Sequence, residues 1–218
     1  MIATQALIVI NAAIWVGMYL YSRSHPDAVG DQFGDSIGLY AYALRTDHEY
    51  WRVISSGFLH FGIFHLAMNC WALYNLGSLM ERVSGRLHFV ALYFSSMAAG
   101  ALGALILSPN SLTGGASGAI FGLLGASVME MKSRGVPFMQ SPLAGMLLIN
   151  LVITFGIPGI SIGGHVGGLA GGLIVGWANA QRHDPRIKMF RWAVPLAVFV
   201  VAVVGCILVA ANAAPYRG

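Results

Sequence analysis

Residues 165–181 read His165-Val166-Gly167-Gly168-Leu169-Ala170-Gly171-Gly172-Leu173-Ile174-Val175-Gly176-Trp177-Ala178-Asn179-Ala180-Gln181. No Asp, Glu, Lys or Arg interrupts the stretch, and Gly168 and Gly172 stand four apart. Small residues at that spacing let helices approach closely inside a membrane. The stretch therefore reads as a membrane-spanning helix that opens on a histidine.

Working outward, six further apolar runs can be drawn, giving spans at about 3–21, 57–79, 86–107, 116–132, 141–158, 165–181 and 190–212, each near the 20 residues a crossing needs. The whole chain agrees with this reading: 57% of its residues are apolar, 9% are charged, and its mean hydropathy is +0.72. Soluble domains carry roughly 25% charge. In lipid every backbone polar group must be satisfied internally, which helices of this length achieve. The strict alternation of a membrane β-barrel is absent. The expected fold is an all-α polytopic transmembrane helix bundle, one membrane domain over 1–218. The first run has no basic segment before it and no small-residue cleavage site after it, so it reads as a retained span. Cys70 and Cys206 lie in apolar runs and read as buried small hydrophobes, without metal-ligand spacing.

Orientation follows from the basic residues. Arg82, Arg86, Lys132, Arg134, Arg182, Arg186, Lys188 and Arg191 fall in the gaps after the second, fourth and sixth spans. Only Arg23, Arg45, Arg52 and Arg217 fall on the other side, together with Asp27, Asp31, Asp35, Asp47 and Glu49. Positive-inside places the first group in the cytoplasm, with the N-terminus inside and the C-terminus outside. The net charge of +4 is then a topology signal, and no nucleic-acid partner is expected. The connection from Ser22 to Ser56 is long for adjacent helices, and such loops are often functional. Tyr40, Tyr42, Tyr50 and Trp51 within it equally suit an interfacial aromatic belt.

Polar side chains inside spans are costly and mark function by default. Ser117 follows a glycine-rich turn, Thr113-Gly114-Gly115-Ala116, and opens a helical run through Gly118 and Phe121. A helix N-terminus offers unpaired N–H groups that suit a developing oxyanion; a serine there is also a common helix cap. His165 opens the sixth span at an equivalent depth. Gly118 and Gly122 repeat on the fourth span the spacing of Gly168 and Gly172 on the sixth. Two close-packing faces, each led by one half of a nucleophile–base pair, point to hydrolysis by Ser117 and His165. From Ser117 to Lys132 a helix runs about 24 Å, against a hydrocarbon core of about 30 Å. The serine thus lies several ångströms below the outer surface and needs a water-filled cavity. No carboxylate occupies the middle of any span, so the arrangement must be a dyad, and Phe121, four residues after Ser117, can stack on the imidazole. His65 and Asn69 share a helical face and can serve as oxyanion donors or as interhelical polar glue. On a straight helix His60 is turned about 140° from His65, so the three cannot readily hold one metal.

These residues resemble the rhomboid family of intramembrane serine proteases. The resemblance rests on Gly115-Ala116-Ser117-Gly118, on Gly164-His165-Val166-Gly167-Gly168-Leu169-Ala170-Gly171-Gly172, on His60-Phe61-Gly62-Ile63-Phe64-His65-Leu66-Ala67-Met68-Asn69, and on Trp51-Arg52, in the family's order over roughly 50–180. It implies a six-helix rhomboid-like core over about 1–181, to which this chain adds a seventh C-terminal span at about 190–212. It implies Ser117 as nucleophile and His165 as general base and acid. The Ser117 N–H, His65 and Asn69 would form the oxyanion site. His60 would be structural, and Phe121 would stack on the histidine. Trp51 and Arg52 would belong to a membrane-lying first loop, and Glu81-Arg82 to a cytoplasmic turn. The implied substrates are single-span membrane proteins, cut near the outer end of their span within a bacterial-type plasma membrane, with no metal and no organic cofactor. Two rivals stand beside it. A small transporter predicts inverted repeats, and none is visible. A non-catalytic relative with the same fold predicts that Ser117 and His165 are dispensable.

Overall fold

The computed structural model describes residues 1–25, 32–181 and 189–214. Asp27, Asp31, Arg182, Arg186, Lys188 and Arg217, which enter the orientation argument, lie outside the described residues. Helices dominate, in the order α1 (Ile2–Ser24), α2 (Gln32–Ile37), α3 (Ala41–Thr46), α4 (Arg52–Ser55), α5 (Ile63–Ala72), α6 (Ser78–Ser84), α7 (Arg86–Leu107), α8 (Ser117–Ser133), α9 (Pro142–Gly156), α10 (Ile162–Ala180) and α11 (Phe190–Asn212). A π-helical segment, Leu73–Gly77, joins α5 to α6. Among the described residues no strand forms; Leu39 and Thr113 make one isolated antiparallel bridge.

Each of the apolar runs carries a helix, but helices and spans are not equivalent. Among the described residues α1, α7 and α11 are individually long and apolar enough to cross a membrane, and a bent pair, Arg52–Phe58 with Ile63–Ser84, makes up to four. α10 is not among them, and α9, at 15 residues, is about 22 Å long. The second run differs from the expected continuous span. The chain turns by 98° between Phe58 and Ile63, with Gly62 extended at the corner (φ 178°).

The centre of the bundle is α10, packed along both α7 and α8. Glycine makes this possible. A Cβ added at Gly168 would overlap the carbonyl oxygen of Gly118, one at Gly172 that of Gly122, and one at Gly163 that of Gly103. Only bare backbone fits at these crossings. On the other side of α7, α11 packs against α7, α10 and α3, which accounts for the surroundings of the extra C-terminal helix. Its Ala202, Cys206 and Ala210 join Leu39, Ala41, Leu44, Val53, Ala98, Ala101 and Leu105 in one buried cluster. From Leu39 to Val53 the first loop is therefore a packed part of the bundle. Its Arg52, only 4% exposed, donates to the carbonyls of Asp35 and Gly38, pairs with Glu49 and lies 5.1 Å from the Tyr40 ring centroid. Trp51, by contrast, is 55% exposed, in company with Tyr42 and Tyr50. At the opposite end, Glu81 receives the backbone N–H groups of Ala3 and Thr4 at 3.1 and 2.9 Å and the Thr4 hydroxyl at 2.8 Å, capping α1. Large apolar side chains face outward on α1, α7, α9 and α11, among them Val9, Leu107, Val152 and Val201, as lipid contact requires.

Candidate active site

The site forms where the start of α8 meets the first turn of α10. Ser117 is the first residue of α8. The turn before it is held from the first loop: Leu39 and Thr113 exchange N–H···O bonds of 2.9 Å, Ala41 N–H reaches the Pro109 carbonyl at 2.7 Å, and Gly115 N–H reaches the Ser56 carbonyl at 2.8 Å. Gly115 has φ +126°, a left-handed conformation that side chains rarely adopt. A Cβ there would also stand 2.9 Å from Nε2 and Cε1 of His65. Glycine thus lets the turn form and lets the His65 ring lie beside it.

His165 sits one turn into α10, whose start is capped by the Ser161 hydroxyl accepting from Gly164 N–H at 3.1 Å. Packing of Gly118 against Gly168 fixes the distance between the two helix starts. The Nε2 atom of His165 lies 2.8 Å from Ser117 Oγ. Phe121, one turn along α8, stacks on the imidazole with centroids 4.2 Å apart and planes at 18°. The other ring nitrogen, Nδ1, lies 2.6 Å from the Thr154 hydroxyl on α9. His165 is 8% exposed, and its orientation is fixed by three neighbours on two other helices, α8 and α9.

The residues upstream fall around this pair. His60 lies in the bend rather than on a helix, with Nδ1 3.2 Å from the Phe58 carbonyl. Because the helix is broken there, its ring comes to 5.0 Å from that of His65, and the straight-helix separation does not apply. Asn69 shares the α5 face with His65, but its amide donates to the His65 carbonyl at 3.0 Å; a second N–H of that amide remains. Trp51 and Arg52 stand at the start of α4 in the first loop, where Arg52 bonds the Asp35 and Gly38 carbonyls. Among the described residues no group of three His, Cys, Asp or Glu is arranged to hold a metal ion.

Chemically, an unprotonated Nε2 facing a serine hydroxyl at a helix N-terminus can take the hydroxyl proton as the oxygen attacks. Residues 47–182 match the family model described as Rhomboid domain. The chain belongs to the rhomboid family. This rhomboid is 33% identical over 170 residues to "Rhomboid protease GluP" of Bacillus subtilis, covering 77% of this chain and 33% of that protein. It is 27% identical to "RHOMBOID-like protein 4" of Arabidopsis thaliana, over 92% of this chain and 62% of that one. A third relative, "Inactive RHOMBOID-like protein 8" of Arabidopsis thaliana, is 32% identical over 54% of this chain and 33% of its own length. The chain thus spans from a third to just over six-tenths of these relatives. Family and apolar helices together make it an integral, multi-pass membrane protein.

Thr154 is the contact that the sequence analysis did not single out. The signal was present: Asn150 and Thr154 are polar residues four apart inside an apolar run, the same pattern that drew attention to His65 and Asn69.

Proposed function

We propose that this rhomboid is an intramembrane serine endopeptidase. The observation that carries the reading is the 2.8 Å contact between Ser117 Oγ and His165 Nε2, with the imidazole held flat against Phe121. Ser117 attacks the scissile carbonyl as His165 takes its proton. His165 returns that proton to the leaving amine, and water then hydrolyses the acyl-enzyme by the reverse sequence. The Ser117 backbone N–H at the start of α8, with His65 and Asn69, receives the oxyanion. His60, Gly115, Gly118, Gly168 and Gly172 hold this geometry, and Trp51 and Arg52 anchor the first loop. The substrates are single-span membrane proteins that enter past α9 and unwind before cleavage near the outer end of their span. Unwound backbone in lipid leaves unsatisfied polar groups, so residues already prone to leave the helix are favoured. The protein forms one membrane domain of a bacterial-type plasma membrane, N-terminus in the cytoplasm and C-terminus outside.

Family membership alone does not give activity, since an inactive relative matches the chain as well. The test is cleavage of a reporter single-span protein in liposomes by wild type, Ser117→Ala and His165→Ala. Cleavage by wild type alone, with all three folded, supports the dyad. Equal cleavage by wild type and Ser117→Ala refutes the nucleophile. Labelling of Ser117 by a serine-directed probe separates an active enzyme offered the wrong substrate from an inert one.

A further inference from the structure

A neutral imidazole can serve as the base toward Ser117 only if its proton sits on Nδ1 and Nε2 is bare. The dyad contains nothing that selects this tautomer, because a serine hydroxyl can donate to Nε2 or accept from it. The choice has to come from the far side of the ring. There the structure holds Thr154, 1% exposed, with its hydroxyl 2.6 Å from His165 Nδ1 and 2.6 Å from the Asn150 carbonyl oxygen. A hydroxyl has one hydrogen, and a carbonyl can only accept. The bond to Asn150 therefore consumes the Thr154 hydrogen, and toward His165 the oxygen is left with lone pairs. Back-bonding of a threonine to the carbonyl four residues earlier is common in helices. Here it also fixes what the hydroxyl presents to its other neighbour.

We propose that Thr154 is a positioning residue that accepts the Nδ1–H of His165, keeping Nε2 unprotonated and aimed at Ser117. The surroundings fit this role. Among the described residues of α9 only Ala144 and Thr154 are buried, so the helix makes few other demands at this end. Phe121 fixes the plane of the ring but cannot choose between its nitrogens. When His165 becomes an imidazolium, the same lone pair continues to receive the Nδ1 proton, so no rearrangement is needed as the serine proton moves.

The effect on catalysis rests on the dyad reading above; the tautomer does not. The test is therefore spectroscopic as well as kinetic. In the full chain labelled with ¹⁵N-histidine in liposomes, the His165 signals are assigned by difference from His165→Gln. At neutral pH wild type is expected to show protonated Nδ1 and bare Nε2. Thr154→Ser is expected to keep this pattern, and Thr154→Val to lose it. In reporter cleavage, Thr154→Val is expected to lower kcat about ten- to hundredfold with KM unchanged, and Thr154→Ser to restore it to within a few-fold. A proton on Nε2 in wild type, or an unchanged spectrum in a folded Thr154→Val protein, overturns the proposal. If wild type neither cleaves the reporter nor is labelled at Ser117 by a serine-directed probe, the proteolytic reading fails by itself, and the spectra still decide the role of Thr154.

Discussion

Gly168→Ala tests whether helix packing sets the serine–histidine distance. The added methyl would lie 2.7 Å from the carbonyl carbon of Gly118 and 2.9 Å from its Cα, and nearer still to the oxygen. Carbon atoms rest about 3.5–4.0 Å apart. Backbone cannot swing aside as a side chain can, so α8 and α10 must part by about 1 Å at this level. His165 lies one turn before Gly168, and Ser117 directly precedes Gly118. The 2.8 Å contact then opens to about 3.8 Å, beyond hydrogen-bond range. A misplacement of that size costs about 100-fold in rate, and over-packing costs about 1–3 kcal/mol of stability. Gly125→Ala is the control: its methyl meets the Leu169 carbonyl oxygen at 2.6 Å, two turns deeper in the bundle. Both variants should unfold at lower temperature. Only Gly168→Ala should lose about 100-fold in reporter cleavage and in labelling by a serine-directed probe. A folded Gly168→Ala protein that cleaves at the wild-type rate refutes the argument.

Phe121→Leu keeps an apolar side chain but removes the stacked ring 4.2 Å from the imidazole. Such pairs contribute about 0.5–1.5 kcal/mol, so kcat should fall about two- to tenfold with little change in KM, measured on the same reporter. Arg52→Ala strips hydrogen bonds from the Asp35 and Gly38 carbonyls and a partner from Glu49. Bonds to a charged donor contribute about 1.5–3 kcal/mol; thermal unfolding in detergent should shift accordingly, and Arg52→Lys, which lacks the planar fork, should recover only part of the loss.

The bundle was legible because lipid leaves few options: an apolar run must satisfy its own backbone, and glycines four apart show where two such runs touch. Gly118, Gly122, Gly168 and Gly172 carried that message, and the structure has them in contact. The bend before Ile63 was not legible, since the run through Phe58 and Leu59 stays apolar on both sides of it. Its cost is that His60 was placed on a helix it does not join. The first loop read as either interfacial or functional, and the division falls within it: Trp51 faces outward while Arg52 is buried. Thr154 escaped notice for a physical reason. A threonine that bonds its own helix carbonyl is inexpensive in lipid, so it does not stand out as a histidine does. Its second contact exists only because α9 and α10 fold back on each other across the turn around Gly159.

The attachments of Ser117 and Thr154 differ sharply in strength. The turn before Ser117 is tied to the first loop by several backbone bonds, and α8 is pressed on α10 backbone to backbone. Thr154 belongs to a helix with two buried side chains among its described residues. One wall of the site is thus held at many points and the other at few. A displacement of α9 would draw the threonine away from Nδ1 before it moved the serine. With Thr154 selecting the tautomer as proposed, the histidine's readiness would gauge whether that side of the bundle is shut.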